Sequence, residues 1–323
     1  MLNDQVSISF GDFTIFMAAI VSCYTPIKNV AKIITTLAES SAATDRIFDL
    51  IDTPTTMKDE PGATEFTGLT NKIQFRGVSF SYPGQEEKAV EDLNFEMQRG
   101  EKIALVGPSG SGKSTMFDLL ARLRDQDSGE ILFDGVDSRT LTRDSLLRNM
   151  AYVGQEPFLF NTTVENNICG AETSVTDEQI VEAAKAAAIH EDIMSLPDGY
   201  QTVLGERGDR LSGGQRQRLV IARALAVEPK LMVLDESVAA LDVQIQRDIL
   251  DLLAKIGDER KLTYLFISHD LSVMASFCNR LLIMHQGQIV ERGETQDILA
   301  NPQNEYTRQL LASRPGKVPL TTA

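Results

Sequence analysis

The sequence is poor in cysteine, which limits the kinds of site it can build. Its three cysteines are Cys23, Cys169 and Cys278, and they lie far apart without the spacing of metal ligands. This pattern argues against a cysteine metal site and is typical of free thiols in a reducing compartment. We expect all three to be buried.

The sequence also lacks an excess of basic residues. It has 31 lysines and arginines against 46 acidic residues, so the formal net charge is −15. A chain of this charge repels a phosphate backbone unless a local basic face dominates, and no such face is visible. Nucleic acid is therefore not an expected partner. The 323 residues, 42% of them hydrophobic, are enough for a real core and more than one domain.

The N-terminal region lacks charge over residues 13–27. About 15 residues at 1.5 Å each reach about 22 Å, which is shorter than a hydrocarbon core of about 30 Å. No basic stretch precedes this run, as a signal peptide would require. Apolar residues continue at helical spacing to about residue 51, so residues 1–52 are predicted to form one long helix. The alternative is an ordinary core helix of a soluble domain.

The rest of the chain alternates between strand-like and helix-like segments. A linker, 53–72, is rich in proline, glycine and threonine. Residues 73–300 then predict an α/β domain with a mainly parallel sheet covered on both faces, followed by a tail, 301–323. A helical insertion is expected at about 156–210, where Thr176 and Gln179 form a capping-box pattern.

One glycine-rich segment directly follows a predicted buried strand and precedes an apolar helix. It reads GPSGSGKST and matches G-x-x-x-x-G-K-[ST]. Backbone N–H groups of such a turn surround phosphate oxygens, because glycine has no Cβ to block them. Lys113 is predicted to neutralise the β- and γ-phosphates, and Ser114 to bind Mg²⁺. The nucleotide-binding residues predicted here are Gly107, Ser109, Gly110, Gly112, Lys113, Ser114 and Thr115.

Two adjacent carboxylates end a later apolar strand, in the sequence LMVLDE. Neighbouring side chains diverge at a strand end, so the two acids can serve different purposes. We expect Asp235 to hold Mg²⁺ and Glu236 to orient or deprotonate an attacking water, a role worth roughly 10²–10⁴-fold in rate.

Four motifs occur in a fixed order: GPSGSGKST, LSGGQ, LMVLDE and FISHD. With these four motifs in this order, the segment from about residue 73 to 300 resembles the nucleotide-binding domain of ATP-binding cassette (ABC) transporters. The resemblance implies a P-loop NTPase fold with an antiparallel β edge, ATP and Mg²⁺ as ligands, and head-to-tail dimers. In such a dimer the signature loop of one domain closes over the nucleotide of the other. The signature residues here are Ser212, Gly213, Gly214 and Gln215, with a helix expected to begin near Gln215.

The resemblance assigns four further roles. Tyr82 matches the aromatic residue that stacks on adenine, and Gln155 matches the glutamine that reaches Mg²⁺ and the attacking water. His269 matches the switch histidine at the γ-phosphate, and Asp242 matches the acid of the loop that crosses the dimer. The related importer-like pattern has proline and serine where this chain has Ser237 and Ala239, so one cross-dimer hydrogen bond is expected to be missing.

The resemblance differs between the two halves of the chain. The front, including TVLGERG at residues 202–208, is similar to exporters whose membrane and ATPase domains are fused. From Gly213 onward the sequence is similar to the separate ATPase subunits of oligopeptide importers. Both partners therefore stay open, with the exporter favoured because a terminal membrane helix is typical of fused exporters.

Two function classes remain. A transport ATPase would work as a homodimer or heterodimer with transmembrane domains, at the cytoplasmic face of the membrane. A soluble ATPase of the same fold, in DNA repair, chromosome structure or translation, would need a coiled-coil insertion, a second cassette or a basic surface. The sequence has none of these, so a transport ATPase is predicted, with its substrate unspecified.

Overall fold

The computed structural model describes residues 9–52, 57–85, 87–170, 175–239, 241–269 and 271–312. The chain divides into two compact units, Met1–Lys58 and Asp59–Ala323. The predicted linker and tail each extend partly outside the described residues.

The first unit is built on one helix, α1 (Phe10–Ile51). Its 42 residues extend about 63 Å at 1.5 Å per residue. Ser9 and Asp12 form a capping box at its start. None of its residues is buried, and it is long and apolar enough to cross a membrane. The predicted long N-terminal helix is confirmed, and its exposure argues against a core helix. Cys23 on this helix is exposed and Cys169 is only partly buried, so the expectation of three buried thiols holds for Cys278 alone.

The second unit contains two sheets within the described residues. A six-stranded sheet has the order β10-β9-β3-β8-β7-β6, with β10 antiparallel to β9 and the other neighbours parallel. A separate antiparallel sheet has the order β2-β1-β4-β5. The predicted antiparallel edge is therefore mainly a sheet of its own. The strands are β1 (Lys72–Phe80), β2 (Val90–Gln98), β3 (Lys102–Val106), β4 (Ser128–Phe133), β5 (Val136–Asp137), β6 (Met150–Val153), β7 (Leu231–Asp235), β8 (Thr263–Ser268), β9 (Arg280–His285) and β10 (Gln288–Glu294).

Both faces of the six-stranded sheet are covered. Alternate residues of β3 enter opposite cores: Ala104 and Val106 pack in one, while Ile103 and Leu105 pack in the other. This two-sided burial explains why the parallel strands read as continuous apolar runs. The α-helices are α2 (Lys113–Leu120), α3 (Arg143–Arg148), α4 (Val164–Cys169), α5 (Asp177–Ala186), α6 (His190–Met194), α7 (Gly213–Ala226), α8 (Val243–Arg260), α9 (Leu271–Phe277), α10 (Thr295–Ala300) and α11 (Glu305–Ala312). Helices such as α7 and α8 pack on one face of the sheet, and the antiparallel sheet packs with α2 and α3 on the other.

The predicted helical insertion contains α4, α5 and α6. Helix α5 begins with the capping box read from the sequence: the Gln179 N–H donates to Thr176 Oγ1, and the Thr176 N–H donates to Gln179 Oε1. Apolar side chains such as Ile180 and Ala183 pack in the same core as the inner face of α7. The insertion therefore packs against α7, the helix that starts at the signature loop.

Candidate active site

The phosphate loop, residues 107–112, connects β3 to α2, and two of its glycines cannot be replaced without a clash. A Cβ at Gly107 would lie 2.3 Å from the Met284 carbonyl oxygen, and one at Gly112 would lie 2.6 Å from that of Ala89. Gly112 also caps α2 with φ of 99°, a conformation that glycine adopts at little cost. No side chain caps this helix, so its first N–H groups are directed to the loop interior.

Lys113 extends back across the loop. Its Nζ donates to the carbonyl oxygens of Gly107, at 2.9 Å, and Pro108, at 2.8 Å. Burial lowers the pKa of Lys113, although the charges of Glu236 and Asp235 act to raise it. Within the part of the chain that the structure describes, these neutral carbonyls are the hydrogen-bond partners of the ammonium group, and an anionic phosphate would be a better one.

A cleft of about 1230 Å³ opens beside the phosphate loop at the carboxyl ends of the parallel strands. Ligands of α/β proteins bind at this edge of the sheet. The cleft brings together eleven of the predicted residues: Tyr82, Ser109, Gly110, Gly112, Lys113, Ser114, Thr115, Gln155, Asp235, Glu236 and His269.

Asp235, at the end of β7, has a partner that the sequence motifs do not include. The Tyr152 hydroxyl donates to Asp235 Oδ2 at 3.0 Å, and the Tyr152 ring stacks on Phe117 with centroids 4.7 Å apart. Burial raises the pKa of Asp235; the hydrogen bond from Tyr152 opposes that shift, and the charge of Glu236 adds to it. No motif in the sequence indicated Tyr152, because its contact with Asp235 depends on the pairing of β6 with β7.

Glu236 occupies a strained position at the turn after β7. Its φ is 47°, in the left-handed region, and its N–H donates to the Ile267 carbonyl oxygen at 2.9 Å. The carboxylate Oε1 lies 2.9 Å from His269 Nδ1, so the predicted base and switch histidine are hydrogen-bonded. Glu236 and His269 both line the cleft, together with Lys113.

The oxygen donors in the cleft fit a magnesium ion shared with phosphates. Ser114, Gln155 and Asp235, with one hydroxyl, one amide and one carboxylate, all line it. The described residues contain no group of three or more His, Cys, Asp or Glu side chains that could hold a metal ion. Mg²⁺ keeps several waters and binds through one or two carboxylates plus substrate phosphates, so this sparse donor set suits it.

Tyr82 borders the cleft next to the phosphate loop. Its hydroxyl lies 3.0 Å from Thr115 Oγ1. Its ring meets Phe80 edge-on, with centroids 5.2 Å apart, and the Arg124 guanidinium lies over it at 4.8 Å. The aromatic ring therefore has three neighbours that restrain it at the wall of the cleft.

The signature loop lies outside the set of residues that line the cleft. Ser212 caps α7: its Oγ accepts the Gln215 N–H at 3.2 Å, and its own N–H donates to Gln215 Oε1 at 2.9 Å. The Gln215 amide also donates to Asp192 Oδ1 at 2.9 Å. The helix begins at Gly213, two residues before the predicted position, because this capping box includes both glycines in its first turn.

The loop after Glu236 is also ordered locally. Asp242 caps α8 by accepting the Ile245 N–H at 3.0 Å, and it does not line the cleft. The Ser237 hydroxyl is buried and has no hydrogen-bond partner within the described residues. Ala239 donates its N–H to the Glu236 carbonyl oxygen, and its side chain offers no hydroxyl there.

Comparison with known protein families identifies the ATPase domain. A family model described as "ABC transporter" matches residues 90–239. The chain contains an ABC-type ATPase domain. Its P-loop fold and its ATP-binding character follow from this membership.

This ATPase domain has relatives in bacteria and animals. The chain is 39% identical over 289 residues to an ATP-dependent lipid A-core flippase of Desulfotalea psychrophila, covering 90% of this chain and 50% of that protein. It is 37% identical over 300 residues to heavy metal tolerance factor 1 of Caenorhabditis elegans, covering 93% of this chain and 37% of that protein. A solved bacterial Atm1-family ABC exporter with ATP bound matches with a TM-score of 0.76 and 32% identity, over 98% of this chain and 54% of that one.

The chain thus spans about half the length of the flippase it matches. Because 90% of the chain aligns, the similarity continues through most of the half that was predicted to be importer-like. The comparisons favour exporters over importers.

Proposed function

We propose that this chain is the ATP-hydrolysing part of an ABC exporter, acting at the cytoplasmic face of a membrane as a dimer of ATPase domains. The observation that carries the proposal is the division of the site. The cleft holds the phosphate loop, the metal donors and the base, whereas the signature loop is not part of its lining. A second copy, or a related chain, would supply the signature loop.

In this mechanism the triphosphate lies along the phosphate loop, and Lys113 moves its ammonium group from the loop carbonyls to the β- and γ-phosphates. Ser114, Gln155 and Asp235 would hold Mg²⁺, which offsets the phosphate charge when it is bound. Glu236 accepts a proton from the attacking water while the water oxygen bonds to the γ-phosphorus and the bond from that phosphorus to the β–γ bridging oxygen breaks, which leaves ADP and phosphate. His269 orients the carboxylate and contacts the γ-phosphate.

The partner's signature loop completes the site. Ser212, Gly213 and Gly214, at the start of α7, would contact the γ-phosphate of the other protomer, where the helix dipole favours negative charge. Gln215 holds the loop through its capping box, and Asp242 would cross the interface. Tyr82 would stack on adenine.

Two features support an exporter partner. The first is α1, an exposed helix long and apolar enough to cross a membrane. The second lies after Gln155, where Phe158 and Phe160 are exposed and pack edge-on with centroids 4.9 Å apart. Exposed aromatic pairs are typical of docking surfaces, and we infer that residues 155–208 receive the membrane domain. Substrate is not assigned.

The dimer is tested by dilution. Specific ATPase activity should rise with protein concentration, because each cleft needs a second chain. Activity per chain that is independent of dilution would contradict the dimer.

The partner is tested by co-expression with an exporter membrane domain and, separately, with an oligopeptide-importer membrane pair. We expect stimulation of ATP hydrolysis by the exporter domain. Stimulation by the importer pair alone would favour the importer alternative, and a response to neither would favour a soluble ATPase.

A further inference from the structure

Arg124 lies beside the aromatic ring at the base end of the cleft, although it belongs to none of the motifs. Its guanidinium is 4.8 Å from the centroid of the Tyr82 ring and 5.9 Å from that of Phe80. A planar guanidinium stacks favourably on an aromatic face through cation–π attraction. One face of Tyr82 is therefore covered by this side chain.

The contact is held from both sides. Arg124 Nε lies 3.5 Å from Asp118 Oδ2, in an ion pair that restrains the guanidinium. The Tyr82 hydroxyl is 3.0 Å from Thr115 Oγ1, and Phe80 meets the ring at an interplanar angle of 82°. The ring is thus restrained at its hydroxyl, by the perpendicular Phe80 ring and by the guanidinium over one face.

The other face of the ring is the one available to a ligand. Tyr82 lines the cleft, but Arg124 is not among the lining residues. We propose that Arg124 is a positioning residue for base recognition: it backs the Tyr82 ring so that the opposite face is presented to the purine of a bound nucleotide. This inference rests on the proposed function, in which the cleft binds ATP.

The expected effect is moderate. A ring that is already oriented loses less conformational freedom when a base stacks on it, and this favours binding. Arg124 is partly exposed, so its cation–π contact is screened by water. Contacts of this kind at exposed sites correspond to about two- to fivefold in affinity.

The test compares a ligand that has a base with one that has none. ATP and inorganic tripolyphosphate are titrated calorimetrically into the full chain without magnesium, using the parent, Arg124→Ala and Arg124→Gln. We expect both variants to bind ATP about two- to fivefold more weakly and to bind tripolyphosphate unchanged. In a Tyr82→Ala background, Arg124→Ala should have no further effect on ATP. The matched control is Arg148→Ala, which removes an exposed arginine on α3 that is paired with Asp144.

Four results would overturn the proposal. Equal weakening of ATP and tripolyphosphate would show that Arg124 attracts phosphates. Tighter ATP binding would show that it blocks the base. Unchanged ATP binding would show that it has no role, provided that Tyr82→Ala weakens ATP. If Tyr82→Ala leaves ATP affinity unchanged, then the base site of the proposed function fails first, and this inference fails with it.

Discussion

The phosphate loop and the signature loop both place glycines at the start of a helix, but they satisfy the helix end in opposite ways. At α2 the capping residue is Gly112, which offers no side chain, and Lys113 folds back on the loop. At α7 the capping residue is Ser212, which exchanges two hydrogen bonds with Gln215.

The difference shows which loop is incomplete without a ligand. The N–H groups at α2 have no side-chain acceptor, and a lysine with a lowered pKa lies among them, so a phosphate improves this end. The signature helix already has its cap and needs no ligand in order to fold. This contrast is what the proposed dimer requires, in which the phosphate loop binds the nucleotide of its own chain and the signature loop contacts that of the other chain.

The largest expected effect separates chemistry from binding within the cleft. Glu236→Gln should lower turnover by roughly 10²–10⁴-fold, because the amide cannot accept a proton from water. ATP affinity should be retained, and a closed dimer should accumulate on size-exclusion chromatography. Steady-state hydrolysis and calorimetric ATP binding measure the two separately.

The control for this variant is Glu87→Gln, which neutralises another carboxylate that lines the cleft. It should leave turnover unchanged. Near-normal turnover in Glu236→Gln would mean that the base assignment is wrong.

The second prediction concerns the loop cation. Lys113→Ala should weaken ATP binding by at least about 10²-fold, because it removes charge-assisted hydrogen bonds, each worth about 1.5–3 kcal/mol. Calorimetry with ATP measures the loss. Lys88→Ala, which removes a cation that also lines the cleft but is paired with Glu91, should change affinity little. Equal losses in the two variants would show that net charge matters and loop geometry does not.

Many of the residues that line the cleft could be predicted because they lie at strand ends. Asp235 is the last residue of β7 and His269 directly follows β8, and parallel strands bring their carboxyl ends to one edge of the sheet. Tyr152 and Arg124 were not predicted. Tyr152 contacts Asp235 and Arg124 contacts Tyr82, and in each pair the two residues are far apart in the sequence. Such contacts depend on the tertiary fold, which local sequence patterns do not encode.

The fold was predictable where one pattern dominated. The apolar runs of β3, β7 and β8 and the capping box of α5 are strong local signals, and the structure has these elements. The strands β2, β4 and β10 mix polar and apolar residues because each is partly exposed, and no apolar run marked them in the sequence. Cys23 was expected to be buried because most free thiols are, but its helix has no buried residue.

The third prediction tests the signature cap. Ser212→Ala should lower the free energy of unfolding by about 1 kcal/mol, because it removes the side-chain acceptor at the start of α7. It should also lower turnover, while ATP binding at high dilution stays unchanged, since the loop serves the other protomer. Chemical denaturation and hydrolysis assays measure these quantities.

The matched control is Thr176→Ala, which removes the same kind of cap from α5 in the helical insertion. It should cost similar stability and leave turnover unchanged. A similar fall in turnover in both variants would mean that the signature serine acts only through helix stability.

The smallest effect concerns the cost of keeping a charge in the cleft. Burial raises the pKa of Asp235, and the neighbouring charge of Glu236 adds to the shift. A carboxyl group whose pKa is higher in the folded state lowers stability as pH rises through that range, because the folded protein binds more protons than the unfolded one. Asp235→Asn should therefore stabilise the ligand-free protein at neutral pH by less than about 1 kcal/mol, since Asp235 is only half-buried and solvent screens it. The gain in stability should disappear below the ordinary pKa range of aspartate.

Thermal unfolding across pH measures this gain. The control is Asp251→Asn, at an exposed site on α8, which should show no gain. A loss of stability in Asp235→Asn at neutral pH would mean that the ionised Asp235 carboxylate does not destabilise the ligand-free cleft. In that case the need for a ligand would be limited to the phosphate loop and would not include the carboxylates.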